Sequence, residues 1–231
     1  MPAEWRSGQV SEDELDLLKA FATVPEREAA DWASACLALV VHLANDAGWA
    51  TTVDKARERA IMMLAVRLFR AIRATMAVLS VGYEVEGRAM ARLVIETRAR
   101  LLEVTKDETP ETGRQWLEGK PKTKIRAAVR GSAPDIDQAT ANRLYGGLSQ
   151  DSHADVGGIL RSLTRVDEDR RADVRWGPHR TDDTSRSLLL CANFAAEAAT
   201  LLAAEAGVDH SHRDALIRYL RATEEKLQKP A

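Results

Sequence analysis

The sequence predicts an all-α protein, an irregular multi-helix bundle with two long central helices and one irregular loop or small hairpin near 165–180. Three observations predict it. Apolar residues recur every three or four positions over long stretches, most clearly at Ile61, Leu64, Ala65, Leu68, Ile72, Met76 and Leu79, the spacing that lines one helix face. Pro, Gly, Ser, Thr and Asp fall where helices of ordinary length would start and stop. Helical periodicity lapses clearly only between Arg165 and Arg180, around Gly177-Pro178.

Taken in order, Ser11 with Glu14 three residues later has the pattern of a capping box and opens a short helix to about Ala22. Pro25 suits a first helical turn and Gly48 a C-terminal cap, which predicts a helix over Pro25 to Ala47 with the apolar run CLALVVHLA in the core and His42 as a core histidine. The firmest helix covers Asp54 to Ser80 and stops at Gly82, because glycine costs about 1 kcal/mol in a helix interior relative to alanine. Another follows from Glu84 to Thr105, burying Met90, Leu93, Val94, Thr97, Leu101 and Val104. Thr109 and Pro110 cap and begin a short helix carrying Trp116 and Leu117, and a further short one spans about Lys122 to Arg130. Helical pieces are expected over Pro134 to Asp151 and Ala154 to Leu163, with a hairpin around Val174 to Trp176. Asp182-Asp183-Thr184 reads as a cap for the apolar helix ended by Gly207, and a last amphipathic helix runs from Asp209 to Gln228.

The 231 residues suit one domain, with residues 1–50 packed onto the rest; 45% are hydrophobic and 29% charged, ordinary values for a chain with a buried core. A net charge of −2 and a pI near 6.2 give no global attraction to nucleic acid or anionic membranes, so any polyanion site must be local. Cys36 and Cys191 sit in apolar stretches and read as buried free thiols of a reducing compartment. The N-terminus lacks the charged and apolar regions of a signal peptide, and the longest uncharged stretch, Ala33 to Asn45, is shorter than the roughly 20 residues a membrane helix needs. A soluble cytoplasmic protein without a membrane partner is expected.

Five polar residues are the candidate site. Tyr145, Ser149 and His153 recur every four residues and would share a stripe on a continuous helix. Arg92 and Glu96, with Arg88, share another stripe, but Arg preceding Glu is the less favourable order for an exposed pair, which points to partners on another helix. With the R-x-x-x-E of Arg92 to Glu96, the Trp116-Leu117 and Lys120 that follow, and the Y-x-x-L-S-x-x-x-H of Tyr145 to His153, the chain resembles the bacterial all-helical domain-of-unknown-function family 5677 over roughly residues 60–200. The resemblance implies a helical bundle with these polar residues gathered inside it, and it implies no established activity. Two readings of the cluster stay open. It is a hydrogen-bonded network fixing helix register, or a pocket in which His153 titrates near neutrality and Arg92 holds an anion.

The expected function is that of a non-enzymatic bacterial interaction or sensor protein, with stress or phage defence as its setting by analogy. The alternative is a metal-independent, RNA-directed hydrolase resembling the HEPN ribonucleases, whose signature is an Arg closely followed by a His. The sequence departs from that signature, since nine residues separate Arg143 from His153 and three separate Arg175 from His179. A locally basic run, Lys120, Lys122, Lys124 and Arg126 through Arg130 beside Trp116, is the candidate RNA contact, although such runs are more often solvated helix faces. Neither metal nor cofactor is expected: His210 and His212 with Asp209 and Asp214 read as a helix start, and phosphate-binding and dinucleotide-binding glycine motifs are missing. A homo-oligomer stays open.

Overall fold

The computed structural model describes residues 12–51, 54–121, 123–131, 163–166, 172–174 and 182–208. Among these, seven helices form an all-α multi-helix fold: α1 (Glu12–Ala22), α2 (Pro25–Asp46), α3 (Ala56–Ser80), α4 (Glu84–Lys106), α5 (Pro110–Leu117), α6 (Ile125–Gly131) and α7 (Asp182–Ala206). A small antiparallel hairpin pairs β1 (Leu163–Val166) with β2 (Ala172–Val174). It begins earlier than the sequence suggested, and Leu163 opens a strand where it was expected to close a helix. The expected cap at Ser11 and the helices over 134–163 and 209–228 lie otherwise outside the described residues.

Among the described residues four helices exceed twenty residues and make the core. α2 packs along α7, α4 along α3, and cross-contacts of α2 with α3, of α4 with α7 and of α3 with α7 close the group. α5 and α1 lie on α3, and α6 lies on α4. The apolar stripe of α3 is fully buried as its periodicity requires: Ile61, Leu64, Leu68 and Ile72 are at most 1% exposed. Around it one continuous apolar cluster runs from Phe21 to Leu202, with Leu37 of α2, Val94 and Leu101 of α4, and Leu188 and Cys191 of α7. A smaller cluster of Ile95, Ala99, Ala128 and Val129 seats α6.

Local chemistry accounts for the turns. Gly82 adopts φ 81°, a left-handed conformation open to a residue without Cβ. Its N–H donates to the Leu79 carbonyl at 3.1 Å and that of Tyr83 to Val78 at 3.3 Å, which closes α3 and folds α4 back along it. Pro25 and Pro110 occupy the first turns of α2 and α5, where the missing N–H costs nothing.

Two expectations for α2 are corrected. His42 is a surface residue, its side chain 70% exposed and 3.3 Å from Asp46 one turn later. The run CLALVVHLA is not uniformly core either: Leu37 and Ala44 are buried, while Leu39 and Leu43 are each 38% exposed. The reason is geometric. A helix packed along one side buries a stripe, so a continuous apolar run must leave part of its circumference outside.

Candidate functional site

Of the five residues nominated from sequence, Arg92 and Glu96 are described, and they pair with each other. Arg92 Nε donates to Glu96 Oε1 at 2.8 Å along the same helix face, both side chains three-quarters buried or slightly more. The i, i+4 contact forms despite the less favourable order of its charges, in a setting where partial burial weakens solvent screening of the pair. Tyr145, Ser149 and His153 lie outside the described residues, as do Arg143, Arg175, His179, His210 and His212.

The strongest polar constructions in the core lie elsewhere. Arg57 sits at the start of α3 and its guanidinium grips Glu205 of α7 with two hydrogen bonds of 2.7 Å. The same group donates to the carbonyls of Asp107, at 2.7 Å, and Thr105, at 2.9 Å, where α4 ends. This places one planar fork across three elements, and the hydrogen bond to Glu205 raises its already high pKa further. Arg98 of α4 similarly binds Glu197 of α7, with Nη2 at 2.8 Å from Oε1, and lies 4.4 Å from the centroid of the Phe194 ring. Arg73 of α3 reaches Asp31 of α2. A signal for the first was present in the sequence: Arg57 precedes Ile61 and Leu64 on the same apolar stripe, and a charge on a buried stripe requires a partner.

Where α4 gives way to α5, Thr109 is the N-cap as expected, but its side chain makes no capping hydrogen bond and Asp107 braces the turn instead. Its Oδ1 accepts the Thr109 N–H at 2.9 Å and the Thr109 hydroxyl at 2.7 Å, while Oδ2 accepts the Thr112 hydroxyl. These donors, Thr112 foremost, hold the carboxyl well below the usual carboxylate range. A depressed pKa means stability that is present above the unfolded value of about 3.9 and lost as pH falls through the folded one. Thermal melts taken downward from about pH 5 should lose stability, and Asp107→Asn should lose less over that window than the native chain does. Parallel curves for the two would remove Asp107 as a cause.

Both cysteines are free, Cys36 half-buried and Cys191 buried. Burial pushes the Cys191 thiol up to about 12, against a lowering contribution from the Thr75 hydroxyl, so it is neutral at physiological pH and unsuited to act as a nucleophile.

The basic run is more promising as a surface. Lys120, Lys124, Arg126 and Arg130 are exposed, on the α5–α6 connection and α6, and the segment 120–131 contains five basic residues and no acidic one. The side chain of Lys122 lies outside the described residues. Trp116, expected to offer a stacking face beside them, instead packs partly buried against the main core. Its ring anchors α5.

Beside the basic run, α4 and α6 enclose an open groove of about 230 Å³. Ala99 and Leu102 of α4 and Ala127 and Ala128 of α6 give it an apolar floor. Polar groups edge it: Glu103 and Lys106 on α4, Thr123 before α6. Glu103 accepts from Arg100 through Oε2 at 2.6 Å, and the Lys106 ammonium donates to the Gly131 carbonyl at 3.1 Å.

The apolar character of α7 has a structural explanation. Thr184–Ala206 is long and apolar enough, at mean hydropathy 1.6, to cross a membrane, yet 56% of that window is buried inside the bundle. Its Leu188, Cys191, Ala195 and Leu202 are part of the main core, and its Glu197 and Glu205 carry the two arginine pairs. These are the contacts of a core helix.

The fold and these features define an all-α helical protein with structural arginine–carboxylate ties and a basic edge beside a small groove. No protein-family model, no curated protein and no solved structure matches the chain, so a function must be read from its own residues.

Proposed function

We propose that this chain is a non-enzymatic helical interaction protein whose partner-binding face is the basic α5–α6 connection, and that the partner is RNA. The observation carrying the reading is the exposure of Lys120, Lys124, Arg126 and Arg130 together, in a stretch without a carboxylate, on a chain whose net charge is −2. Cations concentrated on one edge attract a phosphate backbone by releasing its condensed counterions, an effect that does not require the whole protein to be basic. The ion pairs of Arg57 and Arg98 support the scaffold side of the reading, because they tie α3 and α4 to α7 behind that edge. A bacterial, cytoplasmic setting belongs to the same proposal and suits two unpaired cysteines. Kinship with family 5677 also belongs to it, contributing a helical bundle and no activity.

Binding of a labelled single-stranded RNA of about twelve nucleotides, within the range that one such surface covers, tests the reading by fluorescence anisotropy. Charge reversal at Lys120, Lys124 and Arg126 together should weaken binding at least about tenfold and reduce the slope of log affinity against log salt by about 2. Arg70→Glu, a reversal on the exposed face of α3, should change little. Equal affinity of the triple variant and the native chain would refute the basic edge as the binding face. Degradation of the RNA by the native chain but not by a His153→Ala variant would establish the hydrolase alternative instead.

A further inference from the structure

The groove between α4 and α6 adjoins the basic run, and its dimensions and charges suggest what enters it. At about 230 Å³ it is smaller than the roughly 300–1,000 Å³ typical of sites that enclose a whole small-molecule ligand. It suits one flat group that belongs to something larger. Its floor is supplied by alanines and Leu102, which offer contact to an apolar ring face with little side-chain entropy to lose.

Cations lie beside it. Lys106 stands at the Gly131 end of α6, while Lys124 precedes Ala127, Ala128 and Gly131 by three, four and seven residues, the spacing of one helix stripe. Lys106 therefore edges the apolar floor itself, and the exposed Lys124 lies in the chain one residue after Thr123 of its rim. A nucleotide within a strand offers both a flat base face for such a floor and backbone phosphates for the cations beside it.

We propose that this groove takes a single unpaired base of an RNA strand, with preference for a base bearing an exocyclic amino group. This deepens the RNA reading and rests on it. The preference comes from Glu103. Its Oε2 is engaged by Arg100, which orients the carboxylate, and Oε1 can accept from the amino group of cytosine. Uracil places a carbonyl oxygen at the corresponding position, and two acceptors repel. Thr123 at the rim can donate or accept and adds no such discrimination.

The test compares oligocytidine and oligouridine of about twelve nucleotides on the full chain by fluorescence anisotropy. The native protein should bind oligocytidine about five- to tenfold more tightly. Ala127→Trp fills the groove from an exposed position, so the core is not overpacked; it should abolish the preference and leave residual charge-driven binding. Glu103→Leu should equalise the two oligomers chiefly by weakening oligocytidine. Melting curves confirm that each variant is folded before its affinity is read. Native protein that binds both oligomers equally, or an Ala127→Trp variant that keeps the preference, overturns the groove assignment while the basic edge stands. Native protein that binds neither oligomer overturns the RNA reading itself. Displacement of the RNA by a polyglutamate peptide as effectively as by unlabelled oligocytidine also overturns the assignment, since the surface then reads charge alone.

Discussion

Arg57→Ala should lower stability by about 3 kcal/mol, the cost of removing one partner from a buried ion pair and leaving the other uncompensated. Four hydrogen bonds disappear at once: two to Glu205 and one each to the carbonyls of Thr105 and Asp107. With Arg57 and Glu205 side chains only 15% and 26% exposed, water replaces these donors incompletely. For a chain of this length the melting temperature should fall by about 6–12 °C. Arg57→Lys should recover only part of the loss, because a single ammonium cannot present the planar fork that meets a carboxylate and two carbonyls together. Glu205→Ala should be destabilising too, and the double variant should cost less than the sum of the singles, since each single change strands a charge that the double change does not. Strict additivity in that cycle would show that the pair carries no coupling.

Gly113→Val should be nearly as damaging, and for a steric reason. α5 lies so close to the start of α3 that a Cβ built at Gly113 falls 2.7 Å from the Cα of Arg57, 3.0 Å from the Ala56 carbonyl oxygen and 3.1 Å from the Arg57 amide nitrogen. All three neighbours are backbone, so no side chain can swing aside. α5 must move outward, taking Trp116 and Leu117 from their seats on the main core. Overpacking of this kind costs about 1–3 kcal/mol, and the branched side chain places the substitution at the upper end. Gly113→Ala is the discriminating variant. On helix propensity alone it should add up to about 1 kcal/mol of stability; with the clash it should lose stability. A higher melting temperature for Gly113→Ala would show that the approach of α5 is looser than its backbone contacts imply.

The helices themselves were legible because their signals are local. Pro25 and Pro110 begin α2 and α5, Gly82 separates α3 from α4, and the stripe from Ile61 to Leu79 identifies the buried face of α3. The limits of such signals are equally visible. His42 lies between Val41 and Leu43 in the chain yet stands on the outer face of its helix, because sequence neighbours project about 100° apart and only packing decides which direction is inward. The Arg92–Glu96 pair was legible as a spacing, but not as a pair, since the relevant quantity is the local dielectric and burial is a property of the assembled bundle. Arg57 was there to be noticed as a charge on an apolar stripe; its partners, fifty residues distant at Asp107 and 148 at Glu205, were not.

By itself the sequence determined the helical class, most boundaries of the described helices, the apolar stripe of α3 and the basic composition of residues 120–130, all consequences of spacing and side-chain type along the chain. Only tertiary structure decided which arginines meet which carboxylates, that Trp116 belongs to the core, that Gly113 is a contact point, and that α4 and α6 leave a groove between them. The reason is that each of these depends on the distance between residues far apart in the chain, a quantity created when buried faces seek one another and absent from any local pattern.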